Sequence, residues 1–139
     1  QIAPRYQGQR RVFLGRSLGT GLAAQLAGEF QPDLTLLVSP YHSMVQLAAE
    51  HYAFVPGAVL RYPLRTDLAL PRIRGPVLLV HGGLDTLIPP SHSQRLQGLA
   101  ARAAVLLVPG AGHGDVHQFE AYTAGVGAAL AHPDRVAAK

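Results

Sequence analysis

The sequence predicts an α/β fold, with about four parallel strands and helices on both faces of the sheet. Two observations carry this prediction. Short apolar runs rich in Val and Leu, as expected of strands covered on both faces, recur along the 139 residues. Between them lie longer segments whose apolar residues repeat at helical spacing. Strands separated by helices pair in parallel with right-handed crossovers. From the length of the chain we expect one domain over 1–139.

The first half of the chain contains two predicted strand–helix pairs. A strand over 11–14 runs into a helix over 17–29, and a strand over 34–38 precedes a helix over 43–52. The first helix is indicated by apolar residues four positions apart: Leu18, Leu22, Leu26 and Phe30.

The second half begins with an irregular connection and continues with two more pairs. Residues 41–74 contain several prolines, which break regular structure, so we expect a short irregular cap-like connection there. A strand over 77–80 follows, and Pro89-Pro90 begins a helix over 91–103. The last elements are a strand over 105–108 and a closing helix over 116–130.

The most informative motif is Gly-Arg-Ser-Leu-Gly at 15–19, where the first strand meets its helix. A sharp strand-to-helix turn holds Ser17 on a strained corner with its hydroxyl pushed outward. Gly15 and Gly19 are expected to allow the close approach of strand and helix, which a side chain at either would block. The helix directs its N-terminal amides and positive dipole end toward the serine. This suits a nucleophile whose product is an oxyanion; the alternative is an ordinary N-cap serine.

Two further polar residues follow later apolar runs. Asp85 comes after the third predicted strand and His113 after the fourth, between Gly112 and Gly114. The ends of parallel strands meet at one edge of a sheet, where open α/β sheets gather their active sites. The order Ser17, Asp85, His113 is the order in which the α/β-hydrolase fold carries a catalytic triad.

The acid and the histidines have alternative interpretations. Asp85 could instead cap the turn before Leu87 and Ile88. Asp67 is a rival acid, but it follows no strong strand, and its position before Leu68 is typical of a helix cap. His81 ends a buried strand, which predicts a hydrogen-bonded structural histidine.

The chain resembles the C-terminal half of a small α/β-hydrolase-fold serine hydrolase. The resemblance is carried by the segments around Ser17, Asp85 and His113 together with Ser-Pro-Tyr-His-Ser at 39–43 and Ile88-Pro89. The resemblance is to serine-aminopeptidase-like and depalmitoylase-like enzymes. It implies that Ser17 is the nucleophile, Asp85 the triad acid, His113 the general base, and the Leu18 amide one oxyanion-hole donor. In such enzymes further strands precede the serine and supply a second donor, so we expect a fragment whose N-terminal strands are missing.

The resulting hypothesis is a serine hydrolase that cleaves a carboxylic ester, thioester or small amide through an acyl-enzyme. Arg16, Tyr41 and His42 are candidates to line its substrate pocket. One alternative is a non-catalytic or truncated scaffold that acts as an interaction module. Another is a zinc-dependent hydrolase using His113 and His117, although glycines beside His113 disfavour a helix and no third ligand is evident. No cofactor is implied.

Composition limits the remaining possibilities. The net charge of +4 comes from 11 arginines and one lysine, which are spread along the chain. The sequence holds no basic helix and no aromatic–glycine RNA-binding pattern, so we expect a small-molecule acyl substrate and no nucleic acid. The absence of cysteine excludes disulfides, thiol catalysis and Cys-ligated zinc. Membrane association, oligomeric state and compartment stay open, with the cytoplasm slightly favoured.

Overall fold

The strands form one parallel sheet. The computed structural model describes residues 8–51 and 64–137. Its strands are β1 (Val12–Arg16), β2 (Leu34–Val38), β3 (Val77–Gly82) and β4 (Ala103–Val108). They pair in the order β1-β2-β3-β4, and every neighbouring pair is parallel. This confirms the predicted fold class.

Helices and short 3₁₀ turns connect the strands. The helices are α1 (Gly19–Phe30), α2 (Met44–His51), α3 (Thr66–Ala69), α4 (Ser91–Gln97) and α5 (Glu120–Ala131). The 3₁₀ turns span Leu70–Arg72, Val116–Gln118 and Pro133–Arg135. The predicted cap-like connection at 41–74 thus includes α2, α3 and one 3₁₀ turn, while its residues 52–63 lie outside the described residues.

Apolar side chains pack on both faces of the sheet. Successive residues of a strand point to opposite faces, so Leu36 and Leu37 of β2 belong to different cores. The core around Leu37 includes residues of α1, the α3 region and α4. The core around Leu36 includes Val108, Val116 and residues of α5. Because both faces are covered, every residue of β2 and of β3 is buried.

The strand register brings the carboxyl ends of all four strands to the same edge. Leu14 lies opposite Leu36, Leu36 opposite Leu78, and Leu78 opposite Ala104. The chain therefore leaves β1, β3 and β4 at that same edge.

Two predicted helices differ from the observed ones. The helix predicted over 91–103 ends at Gln97, and β4 already begins at Ala103. Gly98 follows α4 directly, and glycine is a poor helix former. The helix predicted over 116–130 is divided into a 3₁₀ turn and α5. Phe119 separates them because its backbone is extended, with φ −86° and ψ 138°, and its side chain packs against the core around Leu36.

The apolar stripe that predicted α1 is not its buried face. Leu18, Leu22 and Phe30 are more than half exposed. The face that packs on the sheet consists of small residues instead, among them Ala24 and Ala27. Small side chains allow the helix backbone to approach β1 closely. Helical spacing therefore located α1 correctly but did not identify which side it buries.

β1 lies at one edge of the sheet, and in the described part of the chain no strand pairs with its outer side. Leu14 on this strand is 57% exposed. Unpaired apolar strand edges promote association between chains.

No helix in the described ranges combines the length and the hydropathy needed to cross a membrane.

We expect Leu79→Ala to lower the free energy of unfolding by about 2–5 kcal/mol, because Leu79 is fully buried in the central strand β3 and its loss leaves a cavity. Leu22→Ala is the matched control, since Leu22 is half exposed and alanine is a better helix former. Urea denaturation followed by circular dichroism measures both. Equal effects of the two substitutions would contradict the assigned core.

Candidate active site

Ser17 occupies a sharp turn between β1 and α1. Its backbone has φ +49°, a left-handed conformation that non-glycine residues rarely adopt. The turn is held by a hydrogen bond from the Ser17 N–H to the Val38 carbonyl at 2.8 Å. The Thr20 N–H and hydroxyl donate to the Ser17 carbonyl at 3.0 and 2.6 Å. These bonds offset the backbone strain and fix where the serine side chain points.

The two motif glycines have different roles. A Cβ on Gly15 would lie 2.6 Å from the Ala23 Cβ and 2.7 Å from the Gly19 carbonyl oxygen, so only glycine allows this approach. A Cβ on Gly19 would meet no described atom within 4 Å. The expectation that a side chain at Gly19 blocks the approach of strand and helix is therefore wrong. Gly19 is the first residue of α1 and faces open space.

Ser17, His113 and Asp85 form one continuous hydrogen-bonded chain. The distance from Ser17 Oγ to His113 Nε2 is 2.9 Å, and the distance from His113 Nδ1 to Asp85 Oδ2 is 2.8 Å. The consistent tautomer has Nδ1–H donating to the carboxylate and Nε2 accepting from the serine hydroxyl. The Asp85 side chain is fully buried, while His113 is partly exposed. The structure thus brings together the three residues that the sequence selected.

Each oxygen of Asp85 has its own partners. Oδ1 accepts from the Leu87 and Ile88 N–H groups at 3.0 and 2.8 Å, while Oδ2 accepts from His113. Burial alone would raise the pKa of Asp85, but the nearby His81 ring and the bonds from Ile88 and His113 lower it to about 2. The turn-capping interpretation and the pairing with His113 therefore both hold. Asp85 is a carboxylate at neutral pH.

His81 supports Asp85 from below. It is fully buried, with Nδ1 at 2.7 Å from Ser93 Oγ and Nε2 at 2.7 Å from the Ile88 carbonyl oxygen. Since a carbonyl only accepts, Nε2 carries the proton and Nδ1 accepts from Ser93. Nε2 also lies 3.6 Å from Asp85 Oδ2. His81 is a hydrogen-bonded structural histidine, as predicted.

The backbone amide of Leu18 lies at the start of α1 and belongs to the N–H groups that a helix leaves without an internal partner. Among the described residues this N–H has no backbone hydrogen bond. Its side chain is 59% exposed. The amide directly follows Ser17 and the positive end of the helix dipole lies there, so it can donate to an anion formed at the serine.

The three residues expected to line a substrate pocket differ in their surroundings. Tyr41 is fully buried and donates its hydroxyl hydrogen bond to the Leu18 carbonyl at 3.0 Å; burial raises its pKa to about 12 despite a hydrogen bond from the Gly21 backbone. This burial favours packing in the interior for Tyr41, and its place in a substrate pocket stays a prediction. His42 is partly buried, and its Nδ1 lies 4.0 Å from the Asp67 carboxylate. Arg16 is exposed and contacts the loop that carries His113.

Asp67 belongs to a different cluster from the hydrogen-bonded chain. Its two oxygens accept from Arg65 at 2.8 and 2.6 Å, and this guanidinium lowers the pKa of Asp67 against the effect of burial. Asp67 lies in the first turn of α3, whose N-cap is Arg65, so the expected Thr66-Asp67 cap is not the one observed.

His117 lies in a 3₁₀ turn. Among the described residues, no group of three or more His, Cys, Asp or Glu side chains is arranged to hold a metal ion. Cavities of about 560 Å³ and 250 Å³ occur elsewhere in this part of the chain, and none of Ser17, Asp85 and His113 lines either one.

Sequence reasoning missed two buried or bridging interactions near the site. His92 is fully buried: its Nδ1 accepts from the His42 N–H at 2.9 Å, and its Nε2 donates to Glu50 at 2.8 Å, which connects α2 to α4. Burial lowers the pKa of His92, against the raising effect of Glu50. Asp115 Oδ1 accepts from the Gly112 N–H at 2.7 Å and so shapes the His113 loop. No local sequence signal marks the pair in α2 and α4, because 42 positions separate its members.

We expect Gly15→Ala to destabilise the chain by about 1–3 kcal/mol, because the added methyl group overpacks the turn between β1 and α1. Gly19→Ala should leave stability unchanged or raise it by up to about 1 kcal/mol, since its space is open and alanine is the better helix former. Thermal unfolding of the two variants checks the difference. A costly Gly19→Ala would contradict the geometry.

We also expect a specific pH dependence. The folded pKa of Asp85 lies below its ordinary value of 3.8, so its carboxylate stabilises the fold above pH 4 and that stabilisation is lost as the pH falls toward 2. The effect is about 2 kcal/mol. Asp85→Asn should therefore be destabilising at neutral pH, by an amount that shrinks toward pH 2. Urea denaturation across this range measures it, with Asp134→Asn at an exposed position as control. A difference that does not change with pH would contradict it.

Comparison with known proteins places this geometry in context. No protein-family model matches the chain. An uncharacterized protein of Mycobacterium tuberculosis is 36% identical over 110 residues, which cover 76% of this chain and 38% of the relative. The lysophosphatidylserine lipase ABHD12 of Danio rerio is 31% identical, over 66% of this chain and 29% of that protein. The alpha/beta hydrolase domain-containing protein aho-3 of Caenorhabditis elegans is 29% identical, over 82% and 34%. The chain thus spans less than two fifths of each relative.

Solved structures give the same result for the fold. An esterase of Pyrococcus furiosus superposes with a TM-score of 0.74 at 18% identity, covering 94% of this chain and 57% of the esterase. The esterase domain of a Rhodothermus marinus protein gives 0.68 at 18% identity, covering 91% and 62%. Nearly all of this chain therefore matches a part of each larger structure. The chain has the α/β-hydrolase fold and corresponds to part of it.

Proposed function

We propose that the chain carries the catalytic residues of a serine hydrolase that cleaves a small-molecule acyl substrate. In this proposal Ser17 is the nucleophile, His113 the general base and Asp85 the acid that orients the histidine. The Leu18 amide is one oxyanion-hole donor. No cofactor takes part.

The observation that carries the proposal is the pair of hydrogen bonds through His113. Ser17 Oγ lies 2.9 Å from one ring nitrogen and Asp85 Oδ2 lies 2.8 Å from the other. A nucleophile, a base and an orienting group within hydrogen-bond reach of one another are the features by which activated serines are recognised. A simple N-cap serine needs neither partner.

The reaction follows from these contacts. His113 Nε2 takes the hydroxyl proton as Ser17 Oγ attacks the carbonyl carbon, and the imidazolium that forms is stabilised by the buried Asp85 carboxylate. The same proton then passes to the leaving oxygen, sulfur or nitrogen, and the acyl group stays on Ser17. Water, deprotonated by His113, then attacks the acyl carbon of the acyl-enzyme. The bond from that carbon to Ser17 Oγ breaks, His113 returns the proton to Ser17 Oγ, and the carboxylic acid is released.

The protein prepares for this charge movement before the substrate arrives. Asp85 is already ionised, because its pKa is about 2, so no proton must leave it when the imidazolium forms. The Leu18 N–H and the positive end of α1 face the place where negative charge develops on the carbonyl oxygen. In enzymes of this kind a single such donor is worth about 10²–10³ in rate.

A carboxylic ester is the substrate class that we favour over a thioester or a small amide. The similar structures include esterases and also a puromycin-hydrolyzing peptidase, each at 18% identity. The preference for an ester therefore rests on the relative with higher identity, the lysophosphatidylserine lipase at 31%. These proteins are longer than this chain, so the ester assignment for the whole protein is part of the proposal.

We expect a fluorophosphonate probe to form one covalent adduct, on Ser17, because the probe reacts with serines that a histidine activates. Intact-mass analysis of the chain, Ser17→Ala and His113→Ala checks this. The adduct should vanish in Ser17→Ala, and labelling should slow by about 10⁴-fold or more in His113→Ala. Ser91→Ala is the matched control, because Ser91 is an exposed serine at the start of α4.

Two outcomes would contradict the proposal. Labelling that persists in Ser17→Ala would place the reactive serine elsewhere. No labelling of a chain whose circular dichroism shows it to be folded would favour the non-catalytic scaffold.

A further inference from the structure

The Arg16 side chain connects the end of β1 to the loop that carries His113. Its Nη2 lies 3.1 Å from the His113 carbonyl oxygen and 3.1 Å from the Gly114 carbonyl oxygen. A guanidinium nitrogen carries two protons in a fixed plane, so one nitrogen can donate to both carbonyls. The two partners are 97 and 98 positions away in the chain.

The position of the two strands explains why such a connection matters. β1 and β4 are the outer strands of the four, with β2 and β3 between them. Strands lie about 4.8 Å apart, so the loop after β4 must reach across about 14 Å to bring His113 to Ser17.

The hydrogen bond inside the loop, from the Gly112 N–H to Asp115 Oδ1, does not connect the loop to the serine turn. Gly110, Gly112 and Gly114 flank the histidine, and Gly110 has φ +77°. The near end is held on the β3 side, where the Leu84 N–H donates to the Ala111 carbonyl at 2.8 Å. A Cβ on Gly114 would meet no described atom within 4 Å, so there is open space beside the loop at this position.

We propose that Arg16 is a positioning residue that holds the His113 loop against the serine turn, which rests on the proposed serine hydrolase function. Arg16 directly precedes Ser17, so its guanidinium connects the His113 loop to the residue next to the nucleophile. Because the guanidinium binds two consecutive carbonyls, it fixes both the position and the direction of the main chain at His113. The imidazole then needs only side-chain rotation to reach Ser17 Oγ.

The sequence-based interpretation of Arg16 as a substrate-pocket residue makes a different prediction. A residue that contacts an anionic part of the substrate changes the KM for anionic substrates and leaves neutral ones unaffected. A residue that aligns the base changes kcat for every substrate, because misplacement of a catalytic group by about 1 Å can cost about 10²-fold. Neutral and anionic esters therefore separate the two roles.

The experiment uses Arg16→Met, which keeps length without donors, and Arg16→Lys, which keeps the charge without the planar fork. Arg74→Met is the matched control, since Arg74 is an exposed arginine at the opposite end of the sheet. We expect kcat of Arg16→Met to fall about 10–100-fold on neutral and anionic p-nitrophenyl esters alike, with KM within about twofold. Arg16→Lys should recover part of the loss. Arg74→Met should match the original chain.

Hydrogen–deuterium exchange of residues 112–116 gives a readout that does not require turnover. Amides in this loop should exchange faster in Arg16→Met than in the original chain and Arg74→Met, while exchange in β2 and β3 stays unchanged. If the original chain fails to react with ester or fluorophosphonate, the proposed function falls, and the exchange data still decide whether Arg16 holds the loop.

Three results would overturn the proposal. Unchanged loop exchange in Arg16→Met would show that the two hydrogen bonds do not order the loop. A rise in KM confined to the anionic ester would make Arg16 a substrate contact. A kcat loss accompanied by faster exchange throughout the sheet would make it a general stability residue.

Discussion

The parallel pairing of four strands in register is the constraint on which the site depends. Ser17, Asp85 and His113 each follow a different strand, and none of them lies near another in the sequence. They meet because parallel strands end at the same edge of the sheet. The buried strands β2 and β3 fix the register of that edge. The energy that fixes the site is therefore mostly the burial of apolar residues several ångströms away from it.

Local electrostatics completes what the sheet begins. Asp85 divides its two oxygens between the backbone of its own turn and the ring of His113. The backbone amides fix the direction of the carboxylate, and the His81 ring, the Ile88 amide and His113 together keep its pKa low despite its burial. One side chain thus shapes a turn, holds a histidine tautomer and carries a buried charge. Both nitrogens of the neighbouring His81 ring have hydrogen-bond partners, Ser93 Oγ and the Ile88 carbonyl.

Much of this could be predicted from the sequence, because its signals are local. Apolar runs predicted the strands, and glycines around Ser17 and His113 predicted where the chain turns sharply. The exposed stripe of α1 shows a limit: periodicity identifies a helix, but the close approach at Gly15 decides that alanines rather than leucines face the sheet. Helical spacing also did not predict that α4 ends before Gly98, a poor helix former, or that Phe119 interrupts the last helix as its side chain packs against the core. Contacts such as those of Arg16, Tyr41 and His92 join positions far apart in the sequence, and only the folded chain reveals them.

Gly82, the last residue of β3, determines how closely the loops that carry Asp85 and His113 approach each other. A Cβ on Gly82 would lie 2.5 Å from the Ala111 carbonyl oxygen and 2.7 Å from that of Gly112, so the backbones after β3 and β4 touch directly. The Leu84 N–H bonds to the same Ala111 carbonyl. The loops that carry Asp85 and His113 are therefore in direct backbone contact. Gly82 thus fixes the spacing between the acid and the base through the backbone itself, whereas the hydrogen bonds of Arg16 and Ser17 join this pair to the turn that carries the nucleophile.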